Sequence, residues 1–374
     1  MKNAFIELRA IARVSRNGTG FMLQAGEPSL CLPNEWNGAM TMMGVPVIDI
    51  HTHMLSEEFL NVLREQGGPK YTVKDVPTLA GPRPAIHKNG AMFMTVFEEM
   101  FNYDLRIRDM DKAKVDIAVV SLTCPNVYWG DANISACTAR LINDNMAYEQ
   151  SRRPDRIRFF CSLPWQFADE AAAELERAVS IGAVGVMVLA NIDDKELIDP
   201  CFAPVWEAID RHALPVLVHP TMPPGSDFMN LNRFHLAAST GFLMDTTLAI
   251  AKMLMDGFFD RYPNLKIIAA HGGGTIPYTI GRLDRIWEAV PAGREKINRP
   301  PSSYMPQIYA DSVVYRQSAL QLCVAEFGED NVMYGSDYPH NIGDMAGCLS
   351  RVDALAAGAR DKIRSKNAVR IFNL

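Results

Sequence analysis

Eight short runs rich in β-branched and other apolar residues recur along the chain: VIDIHTH (47–53), IAVVSLT (117–123), IRFFCSLP (157–164), VGVMVLA (184–190), LPVLVHP (214–220), LKIIAAH (265–271), IYADSVV (308–314) and VMYGSDY (332–338). They are nearly continuously apolar rather than alternating, the pattern of strands covered by helices on both faces. Segments of helical period lie between them. Residues 167–181 place Ala172, Leu175, Ala178 and Val179 on one stripe, and residues 203–213 repeat the pattern. Eight β–α units in series predict an α/β protein with a parallel sheet, and closure into a distorted (β/α)₈ TIM barrel is the common way to finish at that number. A doubly wound open sheet is the alternative.

Two stretches fall outside the repeat. Residues 1–45 carry Gly18, Gly20, Gly26 and Pro28 and read as an N-terminal extension of turns, which leaves 46–374 as one catalytic barrel domain. Residues 55–104, after the first strand, are too long for an ordinary βα loop. Long insertions at that end of a barrel commonly cover the catalytic face, so this one is a candidate lid or substrate wall.

Composition narrows the function classes. With 48% hydrophobic and 21% charged residues the chain buries a large core and is not a disordered or fibrous type. A net charge of −6, with no run of Lys and Arg, sets nucleic acid and anionic lipid aside as partners. Seven cysteines, at 31, 124, 137, 161, 201, 323 and 348, are scattered without a C-x-x-C pair, which favours free thiols in a reducing compartment. Glu7, Arg9, Arg13 and Arg16 interrupt the first apolar residues, unlike a signal peptide, and no later stretch approaches the roughly 20 apolar residues of a membrane span. The expectation is a cytoplasmic protein.

The histidines carry the chemistry. Of eight, four stand at C-terminal ends of predicted strands: His51 and His53 on the first, His219 on the fifth and His271 on the sixth. Asp337 ends the eighth. Positions i and i+2 of a strand point the same way, so His51 and His53 share a face, and the strand C-termini of a parallel barrel converge on one mouth. Imidazole and carboxylate are the usual donors for Zn²⁺ and related ions, and three or four protein ligands with an open position describe a catalytic site. Each motif also has a bland reading: a hydrogen-bonded His pair, a capped strand end at His219–Pro220, or an Asx turn at Gly335–Ser336–Asp337. Convergence on one mouth favours the metal. Gly272–Gly273–Gly274 fits no phosphate-binding fingerprint and reads as a place where backbone approaches the site closely; no G-x-S-x-G elbow is present.

In order and spacing, VIDIHTH, LVHP, AHGGG and GSDYP resemble the amidohydrolase superfamily, in the branch that includes α-amino-β-carboxymuconate-ε-semialdehyde decarboxylase. LRIRDMDKAKVDIAVVS (105–121), the segment 241–285 and the segment 308–344 extend the resemblance over about residues 45–374. It implies that His51, His53, His219 and Asp337 bind the ion, with Zn²⁺ preferred and Mn²⁺ accepted. His271, with Asp337, would be the catalytic acid/base on a metal-bound water or hydroxide. Arg282 would reach a substrate carboxylate from the neighbouring subunit of a homodimer. The sequence departs from the branch at HPTMPPGS after His219, where a Trp-Asp pair is expected, and near Phe93–Met94, where a second arginine is expected.

The resulting expectation is a metal-dependent, non-oxidative decarboxylase of an aromatic or ring-derived unsaturated carboxylic acid. A metal-dependent hydrolase or hydratase of such an acid is the rival enzyme, and a non-catalytic metal-binding scaffold is the third class. Phe93, Asn126 and Trp129, with Tyr338, are candidate pocket walls, each with a core reading beside it. For Arg282 the alternative is an ion pair with Asp284. Asp49 and Asp311 are each a partner for an imidazole or a buried structural acid. His235 and His340 read as supporting or exposed, His87 and His212 as non-ligands.

Overall fold

The computed structural model describes residues 45–78 and 81–374; apart from Val45, the extension read at 1–45 lies outside the described residues. The eight predicted strands form one parallel sheet in sequence order: β1 (Ile48–Met54), β2 (Ile117–Leu122), β3 (Ile157–Cys161), β4 (Gly185–Leu189), β5 (Pro215–His219), β6 (Lys266–Ala269), β7 (Ile308–Asp311) and β8 (Val332–Met333). The sheet closes. Ile50 N donates to Tyr334 O at 3.0 Å and His53 N to Tyr338 O at 2.7 Å, joining the first strand to the segment that continues the last. This is the (β/α)₈ barrel, and it excludes the open sheet.

The last strand is shorter than its apolar run. Tyr334 N leaves the ladder to bond Ile363 O, and the N–H groups of Ser336 and Asp337 turn to His51 O at 3.3 and 2.8 Å. Asp337 itself has a φ of +61°. The predicted strand 265–271 likewise stops at Ala269, because His271 is left-handed at φ +56°. Both departures fall where a functional side chain had been expected.

Helices cover the barrel: α1 (Tyr103–Ala113), α2 (Ala132–Arg152), α3 (Ala168–Ser180), α4 (Ala203–His212), α5 (Phe242–Met255), α6 (Ile276–Ala289) and α7 (Gln317–Phe327) among them. The buried stripe of α3 is Ala171, Glu174, Leu175 and Ala178, one position round from the predicted stripe, with Ala172 and Val179 at its margin. The reason is Glu174, a charged residue that periodicity assigns to solvent. Its carboxylate accepts from Arg177 Nε and Nη2, both at 2.8 Å, and from Asn143 Nδ2 at 2.7 Å. Asn143, buried on α2, also donates to Ser162 O and accepts from Ser162 N, both at 2.9 Å. Two helices are thereby pinned to the end of β3.

The insertion after β1 is a helix, Glu57–Gln66, capped by the Ser56 hydroxyl, and a three-stranded antiparallel sheet of Tyr71–Val76, Arg83–Lys88 and Ala91–Thr95. Ile86 pairs with Met94 and His87 with Met92, so Phe93 is the extra residue of a bulge. No helix among the described residues is long and apolar enough to cross a membrane. The six described cysteines are free; Cys31 lies outside the described residues.

Asn143→Ala leaves the Ser162 backbone groups unpaired in the core. It is expected to destabilise the fold by about 1–3 kcal/mol for each orphaned group, read as a lower urea midpoint at unchanged slope.

Candidate metal centre

β1 delivers His51 and His53 to the mouth of the barrel, β5 delivers His219, and the turn after β8 delivers Asp337. All four are buried, and one ligand atom from each lies within 4.8 Å of the others. His51 Nε2 is 3.0 Å from His53 Nε2, and Asp337 Oδ1 is 3.4 and 3.2 Å from those two nitrogens. Donors at 2.0–2.2 Å from a common tetrahedral centre are separated by roughly 3.3–3.6 Å, close to what is seen.

The surrounding hydrogen bonds decide which nitrogens are free. Asp311 Oδ2 lies 2.6 Å from His51 Nδ1, and the Asp311 carboxylate also accepts from the N–H groups of His271, Gly272 and Val313, each at 2.9 Å. Burial alone would raise the Asp311 pKa, but the His51 imidazole beside it holds the carboxyl below its ordinary value. An ionised Asp311 only accepts, so His51 donates from Nδ1 and turns a lone pair at Nε2 inward. His53 is arranged in parallel: Ser121 Oγ donates to Thr52 O at 3.4 Å and faces His53 Nδ1 at 3.1 Å, which leaves His53 Nε2 a lone pair. Neither ring nitrogen of His219, nor Asp337 Oδ1, has a hydrogen-bond partner among the described residues, although all are buried. Buried polar atoms left this way are uncommon and costly. A divalent cation answers all of them at once.

Electrostatics points the same way. Burial pushes the His53 pKa down to about 3 and that of His219 well below the ordinary value, so both imidazoles are neutral donors. For His51 burial works downward too, but Asp311, with Asp337 and Asp49, outweighs it and raises the pKa. For Asp337 burial works upward and is overcome by His271 and His53, which hold the carboxyl well below its usual range.

His271 sits beside the cluster. Its Nε2 is 3.5 Å from Asp337 Oδ2, its ring centre is 5.0 and 5.5 Å from those of His51 and His219, and its Nδ1 has no partner among the described residues. The glycines after it have another purpose than the one expected. Gly272, Gly273 and Gly274 have φ of +64°, +76° and +62°, and an added Cβ would strike Val314, Phe327 and the Leu243 carbonyl. The glycine that lets backbone approach a ligand is Gly335, whose Cβ would lie 2.9 Å from that of His51 and 3.1 Å from that of Asp311.

Of the two candidate buried acids, Asp311 holds an imidazole. Asp49 accepts instead from the N–H groups of His51 and Ser336, both at 3.1 Å, and from the Ser336 hydroxyl, while burial raises its pKa to about 7. Asn126, read as a pocket wall, is fully buried, with its amide bonded to Met187 Sδ (3.3 Å) and Val127 N (2.9 Å). Trp129 donates from Nε1 to Asn126 O at 2.8 Å and packs edge-on against Phe59, bracing the same turn. Phe93 packs against Tyr71, and Met94 Sδ lies 3.7 Å from Thr123 Oγ1. Arg282 is exposed on α6 and makes no ion pair or hydrogen bond among the described residues; Asp284 instead accepts from Ser302 N.

Of the residues around the cluster, His340 takes the supporting place read for it, while Ser121 and Arg106 were not anticipated. His340 lies with its ring centre 4.8 Å from that of His53 and its Nε2 2.9 Å from Thr123 Oγ1. Ser121 was the polar exception in an apolar strand, a signal that could have identified it. Arg106 is fully buried behind His53. His235 is exposed, while His87 and His212 bond Ala85 O and Glu176 and lie outside the ligand cluster.

The family model described as amidohydrolase matches residues 48–374. The 2-amino-3-carboxymuconate-6-semialdehyde decarboxylase of Dictyostelium discoideum is 30% identical, covering 87% of this chain and 91% of that protein. Gamma-resorcylate decarboxylase of Polaromonas sp. is 29% identical over 72% of this chain and 87% of its own. Among solved structures, 5-carboxyvanillate decarboxylase from Sphingomonas paucimobilis shares the fold at a TM-score of 0.78, with 24% identity over 88% of this chain and 100% of that one. The dihydroxybenzoic acid decarboxylase of Polaromonas sp. JS666, crystallised with manganese and 2-nitroresorcinol, shares it at 0.72, with 24% identity over 88% of this chain and 98% of that one. Matched by that family model over residues 48–374 and 30% identical to the Dictyostelium discoideum protein over 87% of its own length, the chain belongs to the amidohydrolase family.

Proposed function

We propose that this chain is a metal-dependent, non-oxidative decarboxylase of an aromatic or ring-derived unsaturated carboxylic acid. The observation that carries the reading is the buried convergence of three imidazoles and one carboxylate with a fourth imidazole, His271, against the carboxylate. The relatives' names, all decarboxylases of such acids, support it. His51, His53, His219 and Asp337 would hold the ion; three imidazoles and one carboxylate suit Zn²⁺, with Mn²⁺ accepted by the same donors. When bound, the ion supplies a fixed positive charge beside the carbon framework on which electrons collect as CO₂ departs.

The residues supply the rest. Decarboxylation breaks a C–CO₂ bond and requires a proton at the carbon left behind. A proton held at His271 Nε2 faces Asp337 Oδ2, whose ionised form stabilises the imidazolium and orients the ring. Burial of the cluster excludes bulk water from the same carbon. The bulged strand of the insertion, with Met94 reaching Thr123 beside His340, forms the substrate wall. Tyr278, Arg282 and Ile286 recur every fourth residue on the exposed face of α6, which suits a homodimer in which Arg282 meets the neighbour's substrate.

The test is a panel of hydroxybenzoates and muconate-type acids assayed for CO₂ and product mass. Loss of one CO₂ is expected. A cleaved or hydrated product without CO₂ assigns the hydrolase or hydratase instead. His271→Asn is expected to lower kcat about 10²- to 10⁴-fold with metal content unchanged.

Proton competition follows from His51. A raised pKa keeps a proton on His51 to higher pH than on His53 or His219, and that proton occupies the inward lone pair, so metal affinity falls on acidification through the titration of His51. Asp311→Asn removes the main cause of the rise. It is expected to weaken binding about 10- to 100-fold at pH 8 and to move the acid limb of the affinity profile to lower pH, measured by chelator competition. Arg282→Ala is expected to raise KM several-fold while light scattering still reports a dimer.

A further inference from the structure

Arg106, on α1, is the only lysine or arginine that is buried among the described residues, at 1% exposure, and no carboxylate forms an ion pair with it there. A cation taken from water without a counter-charge is costly, so its contacts must account for its place. Nη1 donates to Thr52 Oγ1 and Nη2 to His53 O, while the guanidinium lies over the Tyr338 ring at 4.9 Å. Thr52 Oγ1 passes the connection on, donating to Tyr338 O at 3.0 Å, the same carbonyl that accepts from His53 N at 2.7 Å. The Tyr338 hydroxyl returns to α1, donating to Asp109 at 2.9 Å.

These contacts share one target. Arg106 grips His53 on β1 and, through Thr52 and its own stacking, Tyr338 on the other side of the barrel closure. Tyr338 follows Asp337, and His53 Nε2 and Asp337 Oδ1 face each other at 3.2 Å across that seam. We infer that Arg106 is a positioning residue that sets the spacing of His53 and Asp337 across the seam between the first and last strands, and through it the affinity and symmetry of the metal centre. Arginine suits the task because its planar fork serves two acceptors and a ring face together; the point charge of lysine cannot.

The inference rests on the metal reading of the four-residue cluster, and the experiment separates the two. Zn²⁺ affinity by chelator competition and the Mn²⁺ electron paramagnetic resonance spectrum are measured on the full chain, the R106K variant and the T52V variant, with melting temperatures alongside. R106K keeps the charge and loses the fork. T52V keeps Arg106 on His53 O and cuts the relay to Tyr338. Both variants are expected to weaken Zn²⁺ binding, R106K by about 10- to 100-fold and T52V by less, and to broaden the Mn²⁺ spectrum. Wild-type affinity and spectrum in both, with only the melting temperature lowered, overturn the inference, as does loss in R106K with T52V unchanged, because the seam is then not the route. If R106K does not fold, T52V decides alone. A wild-type chain that takes up no ion defeats the metal reading instead.

Discussion

Closure of the barrel between β1 and the segment after β8 is what gives this protein a site at all. Two of the four candidate ligands, His51 and His53, lie on one side of that seam and a third, Asp337, on the other. The backbone bonds that make the seam run through the same residues: Asp337 N to His51 O and His53 N to Tyr338 O. The structure therefore cannot lose the closure and keep the centre. β8 gives up most of its ladder at this point, and the side-chain contacts of Asp49 with Ser336 and of Thr52 Oγ1 with Tyr338 O stand in for the missing backbone bonds.

Three buried aspartates show how one residue type is set to three tasks by its neighbours. Asp49 meets two backbone N–H groups and a hydroxyl, forms no ion pair among the described residues, and is pushed by burial to a pKa of about 7; its work is to hold two chain segments together. Asp311 meets His51 and a run of N–H groups, stays ionised, and fixes the His51 tautomer. Asp337 points one oxygen at His51 and His53 and the other at His271. An acid that must accept from an imidazole and an acid that must bind an ion both need to be ionised in a dry place, and each is supplied with enough positive partners to remain so.

The insertion adds what the barrel lacks. The eight strands bring donors for a cation to one point. The antiparallel sheet of the insertion reaches the mouth with Phe93 and Met94 because a bulge puts an extra residue into its last strand. On the proposed function, substrate choice varies there while the metal geometry, carried by strand ends, stays put.

Much of this was written in local pattern. Apolar runs bounded by helical periods identified all eight barrel strands, since burial on both faces leaves few polar positions in such a strand, and His51-x-His53 at a strand end declared a shared face. The polar exceptions inside apolar runs, Ser121 and Asp311, were the residual signal for the groups that hold the imidazoles. Other features have no local pattern. Whether eight strands close, that Asp337 and His271 take left-handed backbone, that Glu174 is buried rather than solvated, and that Arg106 lies behind His53 each depend on a partner far away in the chain. Periodicity reports how a residue is buried, and only closure of the tertiary structure decides what it is buried against.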